Sequence, residues 1–156
     1  MAKEIERKFL VSSMVFKSLG SKHYIHQGFL NTEKERVVRI RIMDDNAYIT
    51  IKGISKGAAR WEFEYAIPVQ DARFMLENLC LKPTIEKFRY KISMGDFTWE
   101  VDEFLGDNSG LVIAEIELTS EDQQFAKPDW IGEEVTGDKK YYNANLVEHP
   151  YNTWKT

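Results

Sequence analysis

The sequence predicts an α+β chain that is mainly β: an eight-stranded antiparallel β-barrel with a charged lumen and a few short outer helices. Six times, two charged residues flank a single residue inside a strand-like stretch: Glu4/Glu6, Arg39/Arg41, Glu62/Glu64, Lys87/Arg89, Glu100/Asp102 and Glu115/Glu117. Side chains alternate between the two faces of a strand, so both members of each pair share one face. The sequence has too few helical patterns to cover an open sheet of this size. Closure into a barrel removes the need for such cover, because about eight strands enclose only a small interior.

The alternation also fits a half-solvated sheet whose charges form cross-strand ion pairs. Two observations favour a ligand instead. Like charges recur on single strands, which repel each other unless something compensates, and the bases are mostly Arg, whose planar fork suits phosphate oxygens. The charged face therefore indicates a polyanion held together with a divalent metal ion.

Length and composition predict one domain over residues 1–156, with a formal net charge of −4. An acidic chain lacks the extended basic surface that binds DNA without sequence preference. No apolar run approaches the roughly 18 residues of a membrane span, the N-terminal residues lack an apolar signal core, and Cys80 is the single cysteine. We therefore expect a cytoplasmic protein that binds neither DNA nor a membrane.

Alternation of polar and apolar residues defines the strands. We predict them, in order, at 3–11, 23–30, 37–42, 47–52, 60–68, 84–93, 97–104 and 111–119. The pattern is cleanest at 60–68, where Trp61, Phe63 and Tyr65 lie opposite the charges. We assign these three rings, together with Phe88, to an outer core under the helices.

Turn and cap residues delimit the other elements. The turn signal at 44–46 joins the third and fourth strands into a hairpin, and the loop at 106–110 joins the last two. Apolar residues recur at i, i+3, i+4 and i+7 in the helix at 71–81, with Asp71 placed to cap it. Further short helices are predicted at 14–19, 119–126 and 138–148.

Several short motifs occur in a fixed order. The segment Glu4-Ile5-Glu6-Arg7-Lys8 matches the pattern Glu-x-Glu-x-Lys. Further motifs follow along nearly the whole chain: Gln27-Gly28-Phe29-Leu30, Arg39-Ile40-Arg41, Thr50-Ile51-Lys52-Gly53, Arg60-Trp61-Glu62-Phe63-Glu64, Lys87-Phe88-Arg89-Tyr90, Trp99-Glu100-Val101-Asp102, Ala114-Glu115-Ile116-Glu117-Leu118 and Tyr141-Tyr142-Asn143-Ala144-Asn145-Leu146. In these residues the chain resembles the CYTH superfamily, also called triphosphate tunnel metalloenzymes. Phe29 departs from the pattern, because many relatives have tyrosine there.

The resemblance implies a tunnel that binds a triphosphate with Mg²⁺ or Mn²⁺, as two ions. The implied metal ligands are Glu4, Glu6, Asp102, Glu115 and Glu117, whereas Glu62 and Glu64 either bind metal or anchor the bases. The implied phosphate-binding residues are Lys8, Arg39, Arg41, Lys52, Arg60, Lys87 and Arg89. As catalytic residues we assign Glu4, Glu6 and Lys87, the last to stabilise the leaving diphosphate or move a proton.

We expect a metal-dependent hydrolase that cleaves the terminal phosphoanhydride of inorganic tripolyphosphate. Three alternatives stay open: a class IV-like adenylate cyclase, a thiamine triphosphatase, and a noncatalytic module that binds polyphosphate or nucleotide. The outer strands are apolar enough for a homodimer. The tail at 138–156, with its aromatic residues, is expected to fold across one mouth of the tunnel.

Overall fold

The structure is a computed structural model that describes residues 3–154. The described strands are β1 (Lys3–Val11), β2 (Ser21–Asn31), β3 (Val37–Met43), β4 (Asn46–Lys56), β5 (Ala59–Ile67), β6 (Ile85–Met94), β7 (Phe97–Phe104), β8 (Val112–Glu117) and β9 (Ile131–Glu134). The α-helices are α1 (Val69–Asn78) and α2 (Asn143–Glu148). Short 3₁₀ turns lie at Val15–Ser18, Gly106–Asn108, Lys139–Tyr141 and Tyr151–Thr153. Within residues 3–154, no helix has the length and apolar character needed to cross a membrane.

Eight strands close into an antiparallel barrel, as the sequence predicts. The order is β5-β4-β3-β2-β6-β7-β8-β1, and a pairing between β1 and β5 completes the ring. That closing pairing is short, running from Lys3 opposite Trp61 to Ile5 opposite Ala59. The later part of β1 pairs with β8 on one side and with the extra strand β9 on the other.

Three apolar clusters hold the barrel together. The largest covers the outer faces of β1, β6, β7 and β8, with Phe9, Trp99 and Trp130 at its centre. A second lies where α1 packs against β3 and β4. The third fills part of the barrel interior, where Phe29 and Phe104 pack against the C-terminal segment, residues 138–154. Burial of these large side chains is the main source of stability, at roughly 1.5–3 kcal/mol each.

The predicted helix at 119–126 is wrong. The chain forms turns there, and the carbonyl oxygen of Asp122, which in a helix would accept from the N–H of residue 126, instead accepts from the side chain of Gln124 at 3.2 Å. A local side-chain donor that occupies a backbone carbonyl in this way competes with helix formation. The strand β9, which follows soon after, was not predicted.

The other predicted helices are shorter than expected. The helix at 14–19 is only a 3₁₀ turn, and the one at 138–148 is interrupted at Tyr142, whose backbone is extended. The helix expected at 71–81 begins earlier, at Val69, with Pro68 in the N-cap position, so Asp71 lies in the first turn and is not the cap.

The prediction that the aromatic rings of β5 form an outer core is also wrong. Trp61, Phe63 and Tyr65 remain exposed, and the exposed fraction of Tyr65 is 60%. The reason is that α1 packs on β3 and β4 and leaves the outer face of β5 uncovered. Phe88 on β6 is partly buried against the largest cluster, as predicted.

Candidate active site

Strand register places all six charged pairs on the inner face of the barrel. Cross-strand partners share a face, and the pairing connects Arg39 with Thr50, Thr50 with Glu64, and Arg89 with Asp102. On the other side of the ring, Glu6 is opposite Glu117 and Lys8 is opposite Glu115. The period-two pattern of the sequence therefore becomes a continuous charged lumen.

The lumen contains a cavity of about 490 Å³. Thirteen of the fourteen predicted site residues line it: Glu4, Glu6, Lys8, Arg39, Arg41, Lys52, Arg60, Glu62, Glu64, Lys87, Arg89, Glu115 and Glu117. The exception is Asp102, whose side chain is only 1% exposed and lies behind this lining. The structure thus brings the predicted residues together, and their individual roles remain predictions.

One wall of the cavity is basic. Arg39, Arg41 and Arg89 are buried on β3 and β6, and burial together with their neighbouring cations lowers the pKa of both Arg39 and Arg41. Within residues 3–154, no carboxylate lies within 4.0 Å of the Arg41 guanidinium, and Nε of Arg39 is buried with no hydrogen-bond partner. Buried donors of this kind are costly unless an acceptor reaches them. The wall is therefore suited to an anion with several oxygens.

The opposite wall is acidic. The carboxyls of Glu4 and Glu62 are neighbours, and so are those of Glu6 and Glu115. Burial raises the pKa of Glu4, Glu115 and Glu117, and repulsion among the acids adds to this effect. Carboxylates crowded together in this way are stabilised by a cation with a preference for oxygen ligands.

Two lysines connect the acidic residues to each other. Nζ of Lys8 lies 3.4 Å from Glu6 and 3.7 Å from Glu115. Nζ of Lys52 lies 3.3 Å from Glu4 and 3.8 Å from Glu62. Although burial opposes it, the surrounding carboxylates raise the pKa of Lys8, so this lysine stays charged. Arg60 is tied to the wall by a 2.8 Å hydrogen bond to the carbonyl of Gly53.

Asp102 has a different environment from the other acids. Its two oxygens accept hydrogen bonds from Arg89 at 2.8 and 2.9 Å, and Nζ of Lys87 lies 2.8 Å away. Burial would raise the pKa of Asp102, but the two cations hold it well below the usual value for Asp. The structure therefore shows Asp102 as a buried anion that anchors two bases of the lumen.

The C-terminal segment closes part of the barrel. Tyr141, Leu146 and Val147 are buried against apolar residues on the inner faces of the strands, including Ile85 and Ile113. Residues 142–145 of the same segment line the charged cavity. The expectation that the tail lies across the tunnel thus agrees with the structure, whereas a gating role stays a prediction.

Several further polar residues of the lumen, among them Lys91, Thr50, Gln27 and Asn143, were not predicted as site residues. Lys91 continues the face of Arg89 by two positions, so the period-two pattern could have identified it. Thr50 hydrogen-bonds both Arg39 and Glu64. Gln27 and Asn143 reach the bases through their amide groups. Thr50 shares a strand face with Lys52, so the same pattern could have identified it, whereas the alternation of charges does not mark the neutral amides of Gln27 and Asn143.

The lumen of this closed antiparallel barrel has a basic wall facing an acidic wall. This arrangement defines a class of protein that binds a phosphate chain together with a cation. The family model of the CYTH domain matches residues 2–151, and the chain belongs to the CYTH family. Membership in this family of triphosphate tunnel metalloenzymes implies a divalent metal ion.

Similar proteins agree with this assignment. A protein of Acetivibrio thermocellus named inorganic triphosphatase is 56% identical, over 99% of each chain. Another from Nitrosomonas europaea, also named inorganic triphosphatase, is 37% identical and covers 92% of this chain and 96% of its own. A solved structure of an inorganic triphosphatase superposes with a TM-score of 0.66 at 35% identity, covering 92% of this chain and 97% of the other.

Proposed function

We propose that this chain is a metal-dependent triphosphatase that hydrolyses the terminal phosphoanhydride of inorganic tripolyphosphate. The observation that carries the proposal is the division of the lumen into a basic wall with unsatisfied donors and an acidic wall with crowded carboxylates. A linear triphosphate fits between them, because its oxygens can accept from one wall while a cation joins it to the other. The names of the two bacterial relatives support the same substrate.

The bases would bind and orient the phosphates. Arg39 and Arg41 present planar forks that bind two oxygens at a time, Arg89 contributes the N–H groups that Asp102 does not occupy, and Lys8, Lys52 and Lys87 act as point charges. Arg60 would contribute from the start of β5. Phosphoryl transfer needs accurate placement and neutralisation of charge more than covalent help, and these residues supply both.

The acidic wall fits a divalent ion. Glu4, Glu6, Glu115 and Glu117 offer the oxygen ligands that Mg²⁺ and Mn²⁺ prefer, and Glu62 and Glu64 stand next to them. Within residues 3–154, no three acidic, His or Cys side chains are close enough to bind an ion without other ligands. Such ions commonly complete their shell with water and substrate phosphate. When bound, two ions would neutralise phosphate oxygens and lower the pKa of the attacking water.

Lys87 is the proposed catalytic base or acid of the chain itself. It is buried, it contacts Asp102, and burial together with Arg89 and Arg41 lowers its pKa although Asp102 opposes the change. A lysine whose pKa is lowered toward neutral pH can lose or gain a proton during turnover. We propose that it stabilises the leaving diphosphate or transfers a proton to it.

The test is product analysis after incubation with tripolyphosphate, ATP or thiamine triphosphate, each with Mg²⁺, with Mn²⁺ and with EDTA. We expect rapid metal-dependent phosphate release from tripolyphosphate. The double variant Glu4→Gln/Glu6→Gln should lose it, and Glu77→Gln, on the exposed face of α1, should retain it. Retention of full activity by Glu4→Gln/Glu6→Gln would contradict the assigned ligands.

The same experiment separates the alternatives. Cyclic AMP and pyrophosphate from ATP would indicate a class IV-like adenylate cyclase. Faster phosphate release from thiamine triphosphate than from tripolyphosphate would indicate a thiamine triphosphatase. Tight binding of tripolyphosphate without any product would indicate a noncatalytic module.

Location and assembly are also proposed. We propose a cytoplasmic protein that binds neither DNA nor a membrane, which its net charge of −4 and its single, buried Cys80 support. We further propose a homodimer through the exposed strip of Ile51, Phe63 and Tyr65, because a second copy would cover these apolar side chains. Sedimentation equilibrium of wild type and Phe63→Lys tests this, and a monomeric wild type at micromolar concentration contradicts it.

A further inference from the structure

A short series of hydrogen bonds links the C-terminal segment to two bases of the lumen. Nζ of Lys87 donates to Oδ1 of Asn143 at 2.8 Å, and Nε2 of Gln27 donates to the same oxygen at 2.7 Å. Oε1 of Gln27 in turn accepts from Nε of Arg41 at 2.9 Å. One amide oxygen at the start of α2 therefore reaches a base on β6 directly and a base on β3 through one intervening side chain.

The direction of each hydrogen bond is fixed by the two ends of this series. Arginine and protonated lysine side chains can only donate, so the atoms that face Arg41 and the Lys87 ammonium must be amide oxygens. Gln27 then directs its amide nitrogen toward Asn143, whose oxygen already accepts from Lys87. Neither amide can flip without placing an N–H group against a cation, so both have a single favourable orientation.

These contacts leave specific donors free. Lys87 has three N–H groups, of which Asp102 and Asn143 each accept one. Nε of Arg41 is taken by Gln27, while its terminal nitrogens have no carboxylate within 4.0 Å in the described part of the chain. Both bases line the cavity. The remaining donors of Lys87 and Arg41 are therefore available to an anion there.

We infer that Asn143 is a positioning residue for triphosphate hydrolysis, a role that rests on the proposed function. Asn143 orients Lys87 directly and Arg41 through Gln27. Its own position depends on α2, which is anchored by the buried side chains of Leu146 and Val147. Correct packing of the C-terminal segment is therefore a condition for rapid turnover, and the segment does more than cover the lumen.

The first test replaces the acceptor without removing the side chain's volume. Asn143→Leu should lower kcat/KM for tripolyphosphate about ten- to hundredfold, the range expected for a hydrogen bond to a charged group. Asn152→Ala, an exposed asparagine of the same segment, is the matched control and should keep the wild-type value. Circular dichroism and thermal unfolding report whether each variant folds, and Asn143→Ala replaces Asn143→Leu if the latter does not.

A double-mutant cycle distinguishes positioning from a general structural effect. If Gln27 and Asn143 act in one series, Gln27→Leu/Asn143→Leu should lose no more activity than the worse single variant. Independent effects would multiply, and that result would overturn the inference. A value for Asn143→Leu within twofold of wild type would also overturn it.

Binding without turnover provides a separate readout. Calorimetric titration with tripolyphosphate in EDTA measures the contacts to the bases alone, and Asn143→Leu should weaken this binding several-fold while Asn152→Ala should not. A wild-type protein that releases no phosphate refutes the proposed function, yet this titration still tests Asn143. Equal dissociation constants for wild type and Asn143→Leu would refute the positioning role.

Discussion

Asp102 is the residue for which sequence and structure suggest different roles, and its replacement distinguishes them. The sequence predicts a metal ligand, whereas the structure shows a carboxylate that accepts three short contacts from Arg89 and Lys87 and is 1% exposed. The substitution Asp102→Asn keeps the shape and removes the charge. Two buried cations then lose their shared counterion.

The expected loss of stability follows from this geometry. Removing one partner of a buried ion pair costs about 3–5 kcal/mol, because the remaining charge stays desolvated. Lys87 limits the cost, since its burial and the nearby Arg89 and Arg41 favour loss of its proton once Asp102 no longer opposes it. We therefore expect the lower end, about 3 kcal/mol, which for a domain of this size is a fall in Tm of about 6–12 °C.

The assay is thermal and urea unfolding in EDTA at neutral pH, which removes any contribution of bound metal. Glu117→Gln is the matched control, because Glu117 lines the cavity among the acids Glu4, Glu6 and Glu100. Neutralising it relieves repulsion, so its Tm in EDTA should equal or exceed that of wild type. The reasoning is refuted if Asp102→Asn unfolds within 2 °C of wild type in EDTA but loses stabilisation by Mg²⁺.

Three further predictions concern binding, metal and backbone packing. Arg39→Lys should raise the KM for tripolyphosphate about tenfold or more, because a point charge replaces a two-oxygen fork; an unchanged KM would exclude a direct phosphate contact. Mg²⁺ at a hundredfold excess over its Kd should stabilise the folded protein by about 2.7 kcal/mol, which raises the Tm of wild type by roughly 5–10 °C relative to EDTA. A similar rise in Glu4→Gln/Glu6→Gln would contradict the role of these two residues as metal ligands. Gly20→Ala should destabilise the fold by about 2 kcal/mol or more in urea unfolding, because its Cβ would lie 2.0 Å from the carbonyl oxygen of Lys91; wild-type stability would show that the backbone moves aside.

The inner face of the barrel was predictable because it depends on a local rule. Period-two alternation places Glu4 with Glu6 and Arg39 with Arg41 whatever the strands pair with. Closure followed from the shortage of helices to cover the sheet. Both inferences need only the pattern along each strand and a physical reason for charges to face inward.

Depth within the lumen was not predictable, because it depends on register between strands. Asp102 and Glu117 have similar sequence patterns, yet Asp102 lies opposite Arg89 on β6 and is sealed by it, whereas Glu117 lies opposite Glu6 and faces the cavity. The amide contacts of Asn143 are likewise tertiary. The helix predicted at 119–126 failed for a local reason, because the side chain of Gln124 occupies the backbone carbonyl of Asp122.

The first strand also has a consequence for how the protein is made. β1 contacts β5 through only a few residues, and its other partners, β8 and β9, lie more distant in sequence. During synthesis β1 therefore leaves the ribosome before any strand that can pair with it, and the ring stays open until β8 has emerged. Pairings over such long sequence separation fold slowly and leave strand edges unpaired meanwhile. Because Glu4, Glu6 and Lys8 belong to this strand, the charged lumen is completed in the same late step as the barrel itself.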